Sequence, residues 1–298
     1  MKYGIITIDT PGSNRGNRLI EYAAKKVLNL PEPSVAIPMF VKPDRSLIDL
    51  INQCDFVLLP GSTILAKGKG QGEAMGSLKK IKPPKFCIGA AGWHPPFKLN
   101  IKAMKWIDGP LGVRDLYTYD QCKKEGIPAK LVGCPTMLLP AVTGRATIPY
   151  DIIGFARKYV EWQVESFFKP LALNRNKKLI ASLQEVSHEL PIARRITEHV
   201  FNYDDPAEVM RRYAEADFVY TGRLHGVLPA ISQKKPVMFF GDPDDSRFTL
   251  LTCLGVPVNT PGDDPRTFKS ADGSVYDEKV RIFKGELTGW KNETIDRI

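Results

Sequence analysis

The sequence lacks the features that mark membrane-spanning and nucleic-acid-binding proteins. No stretch reaches the roughly 18 consecutive apolar residues that a transmembrane helix needs. No run of five or six basic residues occurs, although Lys and Arg number 42 against 33 for Asp and Glu. Such runs are typical of polybasic anchors and nucleic-acid arms. We therefore predict no transmembrane segment and no nucleic-acid partner, while the net charge of +9 favours anionic partners such as phosphorylated metabolites without deciding between functions.

Cysteine pairs and metal-ligand patterns are also missing. The cysteines are Cys54, Cys87, Cys122, Cys134 and Cys253. They are odd in number and widely spaced, without a C-x-x-C pair, which favours buried thiols in a reducing compartment. No Cys/His or carboxylate cluster has metal-ligand spacing, so we predict no metal. The N-terminus begins with a strand-like run and no basic leader, which predicts a cytoplasmic location.

Short apolar runs alternate with helical patterns along the 298 residues. This alternation predicts an α/β protein with parallel sheets covered by helices on both faces. The strand candidates of the first half are Gly4–Ile8, Ser34–Ile37, Phe56–Leu59, Phe86–Ile88, Leu111–Val113 and Leu131–Val132. The clearest helix is predicted over residues 17–28, where apolar residues recur at helical spacing.

A second series of strands and helices follows a linker near residues 139–144. Its strand candidates are Ile152–Phe155, Leu179–Leu183, Phe218–Thr221 and Val237–Phe240. A helix is predicted after Asp205, with Asp205 as the N-cap, Pro206 at N1 and Glu208 at N3. Two series predict two Rossmann-like domains, residues 1–142 and residues 143–298. Residues 272–298 are polar and weakly periodic and receive no assignment.

The segment from residue 217 to residue 231 combines a buried strand, a glycine turn and an apolar helix. It puts Arg223 and His225 at the carboxyl end of a strand and in the first turn of a helix, where unpaired N–H groups attract an anion. Arg223 adds a planar fork suited to a carboxylate or phosphate. His225 adds a group that exchanges a proton near neutral pH. In the alternative interpretation, Arg223 forms a structural salt bridge and His225 caps a core helix.

The run Thr221-Gly222-Arg223-Leu224-His225-Gly226 resembles the signature segment of the polysaccharide pyruvyl transferase family. Three further segments resemble that family in the same order along the chain. They are the loop of residues 12–17, the strand and glycine turn of residues 55–62, and the Leu-Gly-Val-Arg-Asp segment of residues 111–115. The likeness extends to about residue 255 and covers most of the chain.

The resemblance implies a GT-B-like α/β fold, in which two Rossmann-type domains with parallel sheets face each other across a cleft. The first domain would serve the acceptor and the second the donor. The implied reaction moves pyruvate from phosphoenolpyruvate onto a hydroxyl pair of a sugar in a cell-envelope or exopolysaccharide glycan. The product is a cyclic ketal, phosphate is released, and no cofactor is needed. The acceptor sugar, its linkage, its attachment to lipid and the oligomeric state are left open.

Carried over residue by residue, the resemblance makes His225 and Arg223 the catalytic residues. The substrate-binding residues that it implies are Arg114, Leu224, Gly61, Ser62, Asn14, Asn17 and Arg247. Leu224 would act through its backbone, and Arg114 and Arg223 would clamp the two anionic groups of the donor. His225 would either protonate the enol carbon or deprotonate the acceptor hydroxyl, and both roles stay open.

This chain departs from the family pattern at three places. Asn17 follows Gly16 where members commonly have Asp, so an acidic role there is not supported. Arg247 stands near the position of a lysine in a Tyr-Asp-x-Lys-like element. The turn at Gly61 has one glycine where members often have two or three. Two other functions therefore remain possible: a glycosyltransferase that uses a nucleotide-sugar donor, and a non-catalytic protein with the same fold.

Overall fold

The computed structural model describes residues 1–9, 14–61, 64–67, 73–92, 98–143, 148–155, 159–174, 178–271 and 273–298. The chain divides into two compact units. The first contains Met1–Ser13, Ile20–Leu138 and Arg281–Ile298, and the second contains Asn14–Leu19 and Leu139–Val280. The sequence analysis divided the chain at residues 142/143, whereas the main division here falls at residues 138/139. Residues 281–298, assigned above to the second domain, belong to the first unit.

The first series of elements contains eight described strands and five described helices. The strands are β1 (Tyr3–Thr7), β2 (Val35–Pro38), β3 (Phe56–Leu59), β4 (Ala66–Lys67), β5 (Lys85–Cys87), β6 (Lys98–Leu99), β7 (Leu111–Val113) and β8 (Ala129–Leu131). The helices are α1 (Gly16–Val27), α2 (Arg45–Ile51), α3 (Glu73–Ser77), α4 (Ile101–Met104) and α5 (Leu116–Lys124). Two 3₁₀ turns are Leu78–Lys80 and Pro135–Leu138.

The sheet of the first unit is parallel, with strand order β2-β1-β3-β5. A single parallel bridge between Ala90 and Val113 leads on to the parallel pair β7-β8. Every residue of β3 is buried, as expected for a parallel strand covered on both faces. The strand order reverses between β1 and β3, and ligands of open α/β sheets bind at such reversals.

The second series contains six described strands and seven described helical segments. The strands are β9 (Tyr150–Gly154), β10 (Lys178–Leu183), β11 (Val200–Asn202), β12 (Phe218–Thr221), β13 (Val237–Phe240) and β14 (Val258–Asn259). The helices are α6 (Val160–Trp162), which continues through the π-helix Gln163–Phe168 into α7 (Lys169–Asn174), then α8 (Val186–Ala193), α9 (Pro206–Glu215), α10 (Leu224–Ser232), α11 (Thr249–Leu254) and α12 (Gly273–Glu293). The 3₁₀ turns are Ser246–Phe248, Pro265–Thr267 and Ile295–Arg297.

The sheet of the second unit is also parallel, and its strand order is β11-β10-β9-β12-β13-β14. Counted within this unit, the order is 3-2-1-4-5-6, that of a dinucleotide-binding Rossmann sheet. The order reverses between β9 and β12. The carboxyl ends of these two neighbouring strands therefore form the place in this unit where a ligand is expected.

The C-terminal segment, which the sequence analysis left unassigned, is largely the helix α12. Its buried side chains are Tyr276, Phe283, Leu287 and Trp290, and their spacing is helical. In the first unit, Trp290 Nε1 donates a hydrogen bond to Pro110 O at 2.7 Å, and Lys130 pairs with Glu293 at 2.6 Å. These contacts hold residues 281–298 in that unit. Among the described helices, none combines the length and apolarity needed to cross a bilayer.

Candidate functional site

The turn between β12 and α10 places the Arg-Leu-His segment at the carboxyl edge of the second sheet. Arg223 is the N-cap residue of α10, with an extended backbone at φ −117° and ψ 132°. Its N–H donates to Thr221 Oγ1 at 3.0 Å, and Gly222 N–H donates to Gly154 O at 3.2 Å. The turn is therefore tied to both strands at which the strand order reverses.

Gly226 allows α10 to pack closely against the strand end. A Cβ at this position would overlap Thr221 Oγ1 and would lie 3.1 Å from Thr221 Cγ2. Residues Gly226–Ser232 of α10 are all buried, so the helix is anchored by its apolar body while its first turn lies at the sheet edge. Leu224 provides the first backbone N–H of the helix, a group that has no acceptor within a helix.

The guanidinium of Arg223 is held by three acceptors of the second unit. Its Nε donates to Phe155 O at 2.8 Å, which follows β9. Its Nη1 donates to Glu185 Oε1 at 3.0 Å and its Nη2 donates to Glu189 Oε1 at 2.6 Å. The side chain is 14% exposed. These ion pairs are the arrangement that the alternative interpretation of Arg223 predicted, and the sequence analysis had not identified the two glutamates.

The imidazole of His225 lies against the backbone of Gly16, the first residue of α1. A Cβ on Gly16 would overlap Nδ1 and Cγ of the ring and would lie 2.8 Å from the Cβ of His225. His225 is half-buried. The backbone oxygen of His225 accepts a hydrogen bond from Tyr203 Oη at 2.9 Å. The structure thus brings the loop after the first strand to the candidate catalytic histidine, within the second unit.

Asn14 shapes the loop that approaches His225. Its Oδ1 accepts from Gly16 N–H at 2.8 Å, and its backbone oxygen accepts from Asn17 N–H at 2.9 Å. This is the local side-chain-to-backbone bonding by which Asn stabilises turns. Arg15 N–H donates to Gln184 O at 3.1 Å, which joins the loop to the residue after β10. Asn14 and Asn17 therefore lie in the same cluster as Arg223, Leu224 and His225.

We expect Gly16→Ala to reduce activity because the added methyl group must displace the His225 ring. The added methyl group would also lie 2.8 Å from the Cβ of His225, which ring rotation does not move, so the start of α1 must shift and the thermal midpoint should fall. The measurement is the rate of the reaction proposed below, together with the thermal midpoint of unfolding. Gly285→Ala is the matched control: Gly285 lies in α12, where an added Cβ would meet no neighbouring atom within 4 Å, and alanine there favours the helix. Equal activity of the two variants would show that the position of the ring is unimportant.

A buried polar network supports the first turn of α10 and the guanidinium of Arg223. Glu189 is 1% exposed, and its Oε2 accepts from the N–H groups of Gln184 at 2.6 Å and Glu185 at 2.9 Å. The hydroxyls of Tyr203 and Tyr213 lie 2.8 Å apart. Burial raises the pKa of Tyr213 to about 12 and raises the pKa of Tyr203 well above its usual value, so both hydroxyls keep their protons near neutral pH.

Among the described residues that the resemblance implies, Gly61 and Arg114 lie in the first unit. Gly61 follows β3, where the strand order reverses, and its φ of +97° is in the region that favours glycine. A Cβ there would lie 3.0 Å from the backbone oxygens of Gly89 and Ile88. Gly61 is thus required by the turn itself. Ser62, also implied by the resemblance, lies outside the described residues.

Arg114 follows β7 and is 5% exposed. Its Nε donates to Asp115 Oδ2 at 3.1 Å, and its Nη2 lies 3.1 Å from the same oxygen without hydrogen-bond geometry. Within the described residues, Nη2 therefore has no hydrogen-bond acceptor. An unsatisfied buried donor of this kind is uncommon and often has a functional explanation.

Arg247 pairs with a carboxylate of its own turn. Its Nε donates to both oxygens of Asp245 at 2.9 Å, and its guanidinium carbon lies 5.7 Å from the ring centroid of Phe248. None of these contacts joins it to the cluster around His225. No group of three or more potential metal-ligating side chains is found in the part of the chain that the structure describes.

A half-buried carboxyl group of α1, which bonds to the end of β1, was not identified from the sequence. Glu21 Oε2 accepts from Thr7 Oγ1 at 2.6 Å and from Ile8 N–H at 3.3 Å. Burial is the main cause that raises the pKa of Glu21, and the hydrogen bond from Thr7 opposes it. The signal in the sequence was weak, because Glu21 lies in an amphipathic helix where a polar residue is expected at the surface.

We expect Glu21→Gln to stabilise the protein near neutral pH. Because the pKa of Glu21 is higher in the folded chain than in the unfolded chain, its contribution to stability is fully present below the unfolded pKa and is lost as pH rises through the folded pKa. Glutamine does not ionise, so the stability of the Glu21→Gln variant is not lowered by charging a half-buried group as the pH rises. The gain in thermal midpoint over the wild type should therefore shrink as the pH falls through the raised pKa of folded Glu21, and it should be gone below about 4, the unfolded pKa of Glu. Glu32→Gln, at a side chain 83% exposed, is the control, and a gain independent of pH would contradict the prediction.

The comparisons with known proteins agree on the fold. No curated protein sequence matches this chain. The UDP-GlcNAc 2-epimerase from Neisseria meningitidis bound to UDP-GlcNAc has a TM-score of 0.56 at 10% identity, over 99% of this chain and 94% of that chain. The Methanocaldococcus jannaschii UDP-GlcNAc 2-epimerase in complex with UDP-GlcNAc and UDP has a TM-score of 0.51 at 14% identity, over 96% of this chain and 100% of that chain. The S. aureus MnaA–UDP co-structure has a TM-score of 0.57 at 12% identity, over 97% of this chain and 90% of that chain.

These similarities confirm the α/β, GT-B-like fold class that the sequence predicts. At such low identity they show the fold alone. The family assignment comes from a separate match: the model of the family described as polysaccharide pyruvyl transferase matches residues 14–243. That span includes the loop at Asn14, the Arg114 segment and the Arg223-Leu224-His225 segment. It covers most of the chain, and the chain therefore belongs to the polysaccharide pyruvyl transferase family.

Proposed function

We propose that this protein transfers pyruvate from phosphoenolpyruvate to a sugar of a cell-envelope or exopolysaccharide glycan. In the balanced reaction, the methylene carbon of phosphoenolpyruvate gains a proton and becomes a methyl group. Two hydroxyl oxygens of the sugar bond to C2, the C2–O bond to phosphate breaks, and phosphate leaves. Of the two hydroxyl protons lost, one balances the proton gained by carbon and the other leaves with phosphate.

One observation carries the proposal. Arg223, Leu224 and His225, which lie inside the region matched by the family, begin a buried helix where the strand order of the second sheet reverses. A helix start favours anions through its N–H groups and its dipole, and phosphoenolpyruvate carries a phosphate and a carboxylate. This supports donor binding at the first turn of α10, with the N–H of Leu224 as one contact.

His225 is the proposed proton-transfer residue. The reaction needs one proton delivered to carbon and protons removed from the acceptor hydroxyls, and a half-buried imidazole suits either task. Its contact with Gly16 keeps the ring close to the loop of residues 14–17. The other implied substrate contacts stay predictions of this proposal: Asn14, Asn17, Gly61, Ser62, Arg114 and Arg247. The unsatisfied Nη2 of Arg114 is consistent with an anionic ligand there.

The test is incubation of the purified protein with phosphoenolpyruvate and a panel of free and lipid-linked sugars. We expect phosphate release that depends on an acceptor, and an increase in the thermal midpoint with phosphoenolpyruvate alone. If neither phosphate release nor a thermal shift occurs across a broad panel, the proposed function is wrong. Inorganic phosphate at the same ionic strength controls for non-specific anion effects.

A nucleotide-sugar-dependent glycosyltransferase is the second candidate. The observation that favours it is that the proteins of similar fold described above were solved with UDP or UDP-GlcNAc. In that case the start of α10 would hold a diphosphate. A thermal shift with UDP and UDP-GlcNAc, and none with phosphoenolpyruvate, would favour it. A non-catalytic role would instead leave function in the cell unchanged when His225 is replaced by alanine.

A further inference from the structure

Two carboxylates share the single guanidinium of Arg223. Nη1 of Arg223 donates to Glu185 at 3.0 Å and Nη2 donates to Glu189 at 2.6 Å, while Nε donates to Phe155 O. The one positive charge of Arg223 thus faces two negative charges. An arrangement of this kind repels a further anion unless one of the carboxylates moves away.

The two glutamates differ in how they are held. The Glu189 side chain is 1% exposed, and its carboxylate also accepts the N–H groups of Gln184 and Glu185. Removing it from Arg223 would leave buried groups unsatisfied. The Glu185 side chain is 25% exposed and lies at the residue before α8, where water can solvate it after displacement. Glu189 is therefore the fixed counter-ion and Glu185 the exchangeable one.

The geometry of the fork suits such an exchange. Nη1 of Arg223 faces Glu185, and the first turn of α10 begins at the next residue, Leu224. A carboxylate or phosphate oxygen that took the place of the Glu185 carboxylate would keep the hydrogen bond to Nη1.

We propose that Glu185 sets the affinity for the anionic donor by occupying, in the free protein, the place on Arg223 that an anionic group of the donor takes. The inference rests on the proposed function for the identity of the donor. When Glu185 is displaced, Arg223 stays paired with Glu189, and the anionic group of the donor accepts the hydrogen bond from Nη1.

The test compares Glu185→Gln with the wild type by isothermal titration with phosphoenolpyruvate, pyruvate and inorganic phosphate. We expect the dissociation constant for phosphoenolpyruvate to fall about fivefold, because a partly exposed ion pair of ordinary strength no longer competes. Glu208→Gln is the matched control. It removes one charge from a 35%-exposed glutamate that pairs with Arg211 and Arg212, and it should leave binding unchanged.

A double-mutant cycle assigns the effect to Arg223. In an Arg223→Lys background, which loses the planar fork, Glu185→Gln should improve binding much less than in the wild type. If the wild type binds phosphoenolpyruvate and Glu185→Gln binds it equally well or more weakly, the inference is overturned and the proposed function stands. Tighter binding of phosphate without any binding of phosphoenolpyruvate would support the inference and contradict the proposed function. No binding of any probe would overturn both.

Discussion

Replacement of His225 by alanine is expected to lower the rate of phosphate release from phosphoenolpyruvate by about 10²–10⁴-fold, the usual contribution of a positioned proton-transfer group. The fold should be unaffected, because Tyr203 bonds to the backbone oxygen of His225, which alanine retains. The side chain is half-buried and leaves a space next to Gly16 that water can fill. The measurement is acceptor-dependent phosphate release at saturating donor.

The control for His225→Ala is His199→Ala, in the same unit and at an exposed position. It should behave as the wild type. If His225→Ala kept full activity with an unchanged thermal midpoint, His225 would take no part in proton transfer. A larger KM with an unchanged kcat would instead indicate that the imidazole only binds substrate.

Replacement of Glu189 by alanine should destabilise the second unit by about 3–5 kcal/mol, the usual cost of removing one partner from a buried ion pair. The substitution leaves the charge of Arg223 with less compensation and removes the acceptor of the Gln184 and Glu185 N–H groups. Urea unfolding followed by circular dichroism gives the change in midpoint.

The control for Glu189→Ala is Glu161→Ala, since Glu161 pairs with Arg195 and its side chain is 69% exposed. Its loss should lower the urea midpoint far less than the loss of Glu189, because exposed ion pairs contribute little to stability. Similar small effects for both substitutions would mean that the network around Glu189 contributes little to folding. Aggregation of Glu189→Ala during purification would be consistent with the prediction, and Glu189→Gln then supplies a milder variant for measurement.

The sequence predicted the strands that are short, apolar and buried. β3, β7, β12 and β13 have the bounds that their apolar runs indicate. Helix α9 begins after Asp205 as predicted, with Asp205 Oδ1 accepting from the N–H groups of Ala207 and Glu208. Local chemistry decides such features: a strand covered on both faces must be apolar, and an N-cap needs a side-chain oxygen.

Other elements could not be predicted because their stability comes from distant residues. β11 and β14 have three and two residues and are only partly buried; each pairs with a strand already in the sheet. The helix α12 has a polar sequence, and its end is held in the first unit by contacts with Pro110 and Lys130. Propensity is weak in such cases, and tertiary packing overrides it.

The position of the Arg223-Leu224-His225 segment at a strand's carboxyl end was readable from the sequence, because an apolar run, a glycine turn and an apolar helix follow one another without interruption. The sequence also determined the α/β class. The partners of these side chains were decided only by the tertiary structure: Gly16 against His225, and Glu185 and Glu189 on Arg223. They come from parts of the chain 34 to 209 residues away. Glu185 and Glu189 follow β10, whose carboxyl end lies at the same edge of the second sheet as that of β12. Gly16 follows a strand of the other sheet, and only the packing of its loop against His225 places it there.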